Sequence, residues 1–194
     1  MKKNIYYLFA ALLLFPLFSC SNDDGDKTIP VDSFVSGSFR DYILQNFDTN
    51  NDGKISVAEA KEVTEIKTEQ GWELNYLSDL AYFPNLKKLD VSRNDYLKSI
   101  DISQNTELET LICYGTKLSA LDLSKNTKLT TLLCDSSNLT SLDISNNTAL
   151  ETLNCNSNAP LTKRDVSKNT KLKYRIDKNC GISALDISNN TALE

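Results

Sequence analysis

The chain has 194 residues, 40% of them hydrophobic, with 21 basic and 26 acidic side chains and a formal net charge of −5. It has no histidine, which removes the commonest general base, the Ser–His pair and a usual zinc ligand. An acidic chain without a basic patch is a poor match for a phosphate backbone, so nucleic acid is excluded as a partner.

Met1-Lys2-Lys3-Asn4 precede an apolar run from Ile5 to Phe18, followed by Ser19-Cys20. A basic start before a short apolar stretch describes a secretory signal over residues 1–19, too short for a comfortable membrane span. Leu17-Phe18-Ser19-Cys20 resembles a lipobox, which implies acylation of Cys20 as the first mature residue. Two or more acyl chains anchor a protein stably to a bilayer. Loss of residues 1–19 removes two lysines and no acid, so the formal −5 becomes −7. Ser21-Asn22-Asp23-Asp24-Gly25-Asp26 has nothing to bury, and residues 20–35 read as the lipidated cysteine and a solvated tether. That acidic stretch resembles the export tag of surface lipoproteins in some Gram-negative bacteria. The resemblance implies a lipid-anchored place in the outer membrane, exposed at the cell surface.

Residues 36–65 read as helix, loop, helix. Ser38 is the expected N-cap, and Phe39, Ile43 and Phe47 follow at helical spacing, with Tyr42 beside Ile43. Asp48, Asn50 and Asp52 then offer side-chain oxygens at positions 1, 3 and 5 of a twelve-residue loop, and Gly53 at position 6 permits its sharp turn. The Lys54 carbonyl, Ser56 and a bidentate Glu59 complete an oxygen set suited to Ca2+. Ser56 also caps the second helix, with Glu59 as its capping-box partner at N3. The segment resembles the EF-hand family. No second loop follows, so Ile55, at the position through which EF-hands usually pair, needs another partner. The plainer alternatives are an Asp/Asn/Gly-rich turn that binds nothing, or an ion that only props the fold.

From Leu86 the sequence repeats. Leu108, Leu129, Leu150, Leu172 and Leu193 are 21, 21, 22 and 21 residues apart, and Cys113, Cys134 and Cys155 keep the same beat. Such a period means a stacked solenoid whose units bury what their neighbours cannot bury alone. Each unit has a Leu-x-x-Leu-x-Cys half and a Leu-x-x-Leu-Asp-x-Ser-x-Asn half, both with strand-like alternation. The pattern resembles the leucine-rich repeats of bacterial surface lipoproteins over residues 63–194, and Leu77–Leu86 resembles an internalin-like linker. The fold class expected is therefore a mainly β solenoid, starting at Val63-Thr64-Glu65-Ile66, with the helix–loop–helix as its N-terminal cap. Circular dichroism dominated by β signal is expected, with helix confined to residues before about 65.

Asn94, Asn105, Asn126, Asn147, Asn169 and Asn190 recur at turns, where a buried amide can satisfy backbone groups. Asp101, Asp122, Asp143, Asp165 and Asp186 read as solvated or turn-capping side chains, the alternative being a weak cation ladder. The three stacked cysteines read as small buried hydrophobes, while Cys180 falls at a turn. The unit over 159–180 departs from the pattern, with Ala159-Pro160 inserted and Arg164 and Arg175 at leucine positions, so a bulge, or side chains swung outward, is expected there. The sequence closes mid-repeat, which reads as a truncated array or an exposed edge.

Catalysis is not expected. The leading reading is a calcium-binding, adhesion-type recognition module for an extracellular protein or glycan. If the Cys-bearing halves line the concave face, its exposed positions include Asp90, Ser92, Ile112, Tyr114, Leu133, Asp135, Asn154 and Asn156, an apolar centre with a polar rim. The alternatives are a structural spacer or coat component, in which calcium only stabilises the fold, and a calcium sensor or buffer.

Overall fold

The computed structural model describes residues 27–34, 36–68, 74–158, 161, 165–176 and 186–194. The acylation candidate Cys20, tether residues 20–26, Ala159-Pro160, Arg164 and Cys180 lie outside these. No helix among the described residues is long and apolar enough to cross a membrane.

The leucine beat builds a parallel β-solenoid. Strands β1 (Glu65–Lys67), β3 (Lys88–Asp90), β5 (Thr110–Ile112), β6 (Thr131–Leu133), β7 (Thr152–Asn154) and β8 (Tyr174–Ile176) form one six-stranded sheet; β2 (Tyr76–Leu77) and β4 (Ser99–Ile100) form a two-stranded one. In the large sheet Ile66, Leu89, Leu111, Leu132 and Leu153 stand side by side in register and are fully buried. A constant period places the same residue at the same point of every rung, so each leucine covers the next. The residues flanking each leucine in these strands point the other way, and form the outer face of the sheet.

The Asp-bearing halves depart from expectation. Only β2 and β4 pair as strands; the corresponding halves of the other described rungs do not form a ladder. Asp101, Asp122, Asp143, Asp165 and Asp186 each accept the N–H of the serine two residues on, at 2.8–3.0 Å, and so close the turn that follows. Asp90 makes the same bond to Ser92 at 3.0 Å at the end of β3, so the bond marks the corner of either half rather than deciding which half pairs.

Two polar columns hold the corners. Asn105, Asn126, Asn147, Asn169 and Asn190 are buried, and each amide donates to two carbonyls of the preceding rung; Asn126 bonds Ile102 O at 3.0 Å and Asn105 O at 2.8 Å. Asn94 does not belong with them. It occupies the corner after the first half-unit, donating to Thr68 Oγ1 at 2.8 Å and Val91 O at 3.0 Å. Its counterparts there are Thr116, Ser137 and Asn158, all buried. Residue type alone merged two corners that the sequence position separates. Beside this column Cys113, Cys134 and Cys155 are buried thiols without disulfides. Burial foremost, with Asp135 and Asp90 adding to it, pushes the Cys113 thiol up to about 12, which leaves it protonated and inert.

At the N-terminal end, helix α1 (Gly37–Phe47) starts two residues earlier than expected. Ser36, extended at φ −118°, accepts the Phe39 N–H and is the N-cap; Ser38 already lies within the first turn. Helix α2 (Val57–Glu62) carries the full capping box of Ser56 and Glu59. Beyond Glu62 the described helical structure is a single 3₁₀ turn, Asp79–Tyr82. The core runs unbroken from these helices into the rungs. Phe39 meets Phe83 edge-on at 6.5 Å, while Phe34 stacks on Phe39 at 5.6 Å and on Tyr82 at 5.8 Å. Asn85 donates to Lys61 O at 2.8 Å, and Thr64 O accepts the N–H groups of Lys87 and Lys88. These contacts pack α1 and α2 against the first rungs.

At the other end, β8 keeps regular register with β7, Arg175 standing opposite Leu153. Of the two outcomes expected there, the described residues show no bulge. Arg175 is only half-buried where its register partner Leu153 is fully buried, and the backbone ladder is undisturbed.

Candidate metal loop and recognition face

The loop between α1 and α2 is held by its own carboxylates. Asp48 accepts the Asp52 N–H at 3.1 Å and the Gly53 N–H at 2.8 Å. Asn50 Oδ1 accepts the Asp52 N–H at 2.9 Å, and Asp52 accepts the Lys54 N–H at 2.9 Å. Asn51 and Gly53 take left-handed φ values of 59° and 78°, the second being the position that favours glycine. Ile55 is fully buried, and its missing partner is the segment before α1. The Ile55 carbonyl accepts the Ile29 N–H at 2.8 Å, Val57 donates to Lys27 O at 2.7 Å, and Thr28 bridges Ser56 in antiparallel fashion.

Glu59 is turned into the loop's frame. One oxygen accepts from Thr49 N and Oγ1 at 2.8 and 2.7 Å, the other from Ser56 N and Oγ, both at 2.9 Å. Burial alone raises the pKa of this group, but the Thr49 and Ser56 bonds outweigh it and lower the value from 4.5 to about 2. A folded-state pKa below the unfolded one gives stability that is complete above about 4.5 and lost as pH falls toward about 2. Urea unfolding in chelator is expected to show that loss in the wild type and a flatter curve in Glu59→Gln. A wild-type curve already flat across this window contradicts the bonding scheme.

The donor set fits a hard cation in chemistry and order: Asp48, Asn50 and Asp52 on one arm, the Lys54 carbonyl at the turn, Ser56 and Glu59 on the other. Glu59 reaches the first arm at Thr49 rather than at its carboxylates. Among the described residues no three acidic, cysteine or histidine side chains are gathered as a ligand cluster. Glu59 has to exchange its Thr49 bonds for the ion to close the site.

The second candidate is the outer face of the large sheet. Lys67, Asp90, Ile112, Leu133, Asn154 and Ile176 form one column in register. Ser92, Tyr114, Asp135 and Asn156 form the next, where Arg93 N–H bonds Tyr114 O, Gly115 N–H bonds Asp135 O and Ser136 N–H bonds Asn156 O. All eight residues expected to line this face are therefore on it, each half-buried. The Asn154 amide donates to Asp135 Oδ1 at 3.0 Å, and burial raises the Asp135 carboxyl above its ordinary value. At the corner that follows, Arg93, Gly115, Ser136 and Ser157 all have positive φ, between 53° and 65°. Sequence reasoning missed Tyr42, Lys67 and Arg93, which meet Asp90, Ser92 and Tyr114 around a depression of about 590 Å3.

No protein-family model matches the chain, and a comparison with the curated proteins gives no match. Solved structures do match. The functional domain of InlJ from Listeria monocytogenes, described as including a cysteine ladder, is 28% identical with a TM-score of 0.65, over 84% of this chain and 40% of that one. An internalin, InlF, from the same organism is 22% identical with a TM-score of 0.66, over 86% and 50%. A leucine-rich-repeat protein of Leptospira interrogans is 19% identical with a TM-score of 0.64, over 71% and 37%. The chain spans half or less of each of these proteins. The fold is that of internalin-like leucine-rich repeats.

Proposed function

We propose that the chain is a calcium-stabilised recognition module of adhesion type, held at the outer face of a Gram-negative outer membrane by an acylated Cys20. It binds an extracellular protein or glycan on the sheet face. The observation that carries this reading is the half-buried apolar pair Ile112 and Leu133, adjacent in register and bordered by Asp90, Tyr114, Asp135 and Asn154. An apolar centre inside a polar rim is the common anatomy of interfaces. The likeness to internalin-like folds supports it at the level of the fold. Calcium on this reading does no chemistry: Asp48, Asn50, Asp52, the Lys54 carbonyl, Ser56 and Glu59 tie α1 to α2 and so brace the cap.

Cross-linked capture from extracellular material, together with protein and glycan panels, tests the recognition claim on the lipidated protein at the cell surface. Specific, saturable capture is expected, and Ile112→Asp with Leu133→Asp is expected to abolish it while leaving surface levels unchanged. Silence of the wild type on every panel favours the spacer reading. A Cys20→Ala protein that fractionates with membranes like the wild type overturns the anchor.

A further inference from the structure

Where the cap meets the sheet, the depression bounded by Tyr42, Lys67, Asp90, Ser92, Arg93 and Tyr114 carries an unusual charge arrangement. Lys88, on the neighbouring strand, is neutralised by Glu65 at 2.7 Å. Lys67 and Arg93 form no such ion pair with the described residues, on a chain that is acidic overall. Arg93 also holds a left-handed φ of 59°, a region that costs a side chain of this size. Its guanidinium lies over the Tyr114 ring, 5.7 Å from the centroid. A guanidinium presents several N–H groups in a planar fork, which is the geometry that matches a carboxylate.

The opposite wall comes from the cap. The Tyr42 hydroxyl accepts the Lys67 N–H at 3.2 Å, and the Tyr42 ring packs edge-to-face with Phe47 at 5.8 Å. Both tyrosines are thus engaged within the protein, Tyr114 under Arg93 and Tyr42 against Phe47. That argues against a flat stacking platform for a sugar ring and for a site read by charge. Asp90 contributes an acceptor: Ser92 holds its Oδ1 through N–H and hydroxyl at 3.0 and 2.6 Å, which leaves Oδ2 for a peptide N–H.

We propose that this depression receives an acidic side chain of a protein partner, its carboxylate bridging the Arg93 fork and the Lys67 ammonium. This rests on the reading of the sheet as a recognition face, and it places the charged anchor at the cap end of that face. The site bears two cations and one carboxylate, so an anionic group gains where a neutral one does not.

Calorimetry on the full mature chain, with an oligoglutamate and an oligoglutamine of equal length, tests it. Lys67→Gln keeps the stem, and Arg93→Asn suits the left-handed backbone, so both variants are expected to melt like the wild type. Oligoglutamate is expected to bind, to weaken about tenfold or more in each variant, and to fade with added salt. Oligoglutamine is expected not to bind. Equal oligoglutamate binding in wild type and both variants overturns the proposal, as does binding of sialyllactose in preference to oligoglutamate. A phage-displayed library of random peptides separates the two levels of the argument. Selected peptides lacking acidic residues, and lost in Ile112→Asp, overturn the anionic site while leaving the recognition face standing. No selected peptide and no oligoglutamate binding overturn the anionic site, and silence on the glycan panel as well overturns the recognition face.

Discussion

Phe83→Ala is expected to cost the folded state about 3–5 kcal/mol. Phe83 is fully buried at the seam between the helical cap and the first rungs, with Phe39 of α1 edge-on to its ring. Truncation removes the aromatic contact and leaves a cavity on which both sides of the seam depend, because neither helix nor rung can shift to fill it alone. The loss should appear as one cooperative transition moved to lower denaturant concentration, with an unchanged slope. Two separated transitions, with the solenoid midpoint unmoved, contradict the claim that cap and rungs share a core.

The second large effect is that of the metal. With three carboxylates, one neutral amide and no second loop to pre-order it, calcium affinity is expected on the order of 10⁻⁴–10⁻³ M. At a hundredfold excess over the dissociation constant, binding to the folded state alone adds about 2.7 kcal/mol. Melting in calcium is therefore expected to lie above melting in chelator. Glu59→Gln is expected to erase most of the difference, because the bidentate closure is gone. It should also lower stability in chelator, since the neutral amide replaces a carboxylate that accepts four bonds from Thr49 and Ser56. Identical wild-type curves in both buffers contradict calcium binding.

The repeat was the most legible feature of the sequence because a solenoid rewards repetition directly: the leucine period, the buried asparagines and the stacked cysteines all stand where the spacing puts them. The capping box of Ser56 and Glu59 was legible for a similar reason, being local. What stayed hidden depends on competition or on distance. Ser36 and Ser38 both suit an N-cap, and only the extended backbone at Ser36 decides between them. Asn94 shares its residue type with the asparagine column yet sits in the other corner. The Asp-bearing halves alternate like strands, yet among the described residues only β2 and β4 of them pair, which the alternation alone does not distinguish. The partner of Ile55 is the segment 27–29, which carries no repeat or motif to mark it. The depression at the cap joins Tyr42, Lys67, Arg93 and Tyr114, residues of different elements whose meeting no single spacing encodes.

Hydrogen–deuterium exchange of residues 21–194, with and without calcium, tests the central claim most directly. The cap is tied to the sheet by Phe39 on Phe83, by Asn85 on Lys61 O and by Tyr42 on Lys67, so an ion held at residues 48–59 should slow opening beyond the loop. The account predicts calcium-dependent protection of α1, α2, segment 27–29, β1 and β3, fading toward β6 and β7, and its disappearance in Glu59→Gln. Protection confined to residues 48–59, or none at millimolar calcium on the order of the expected dissociation constant, contradicts it.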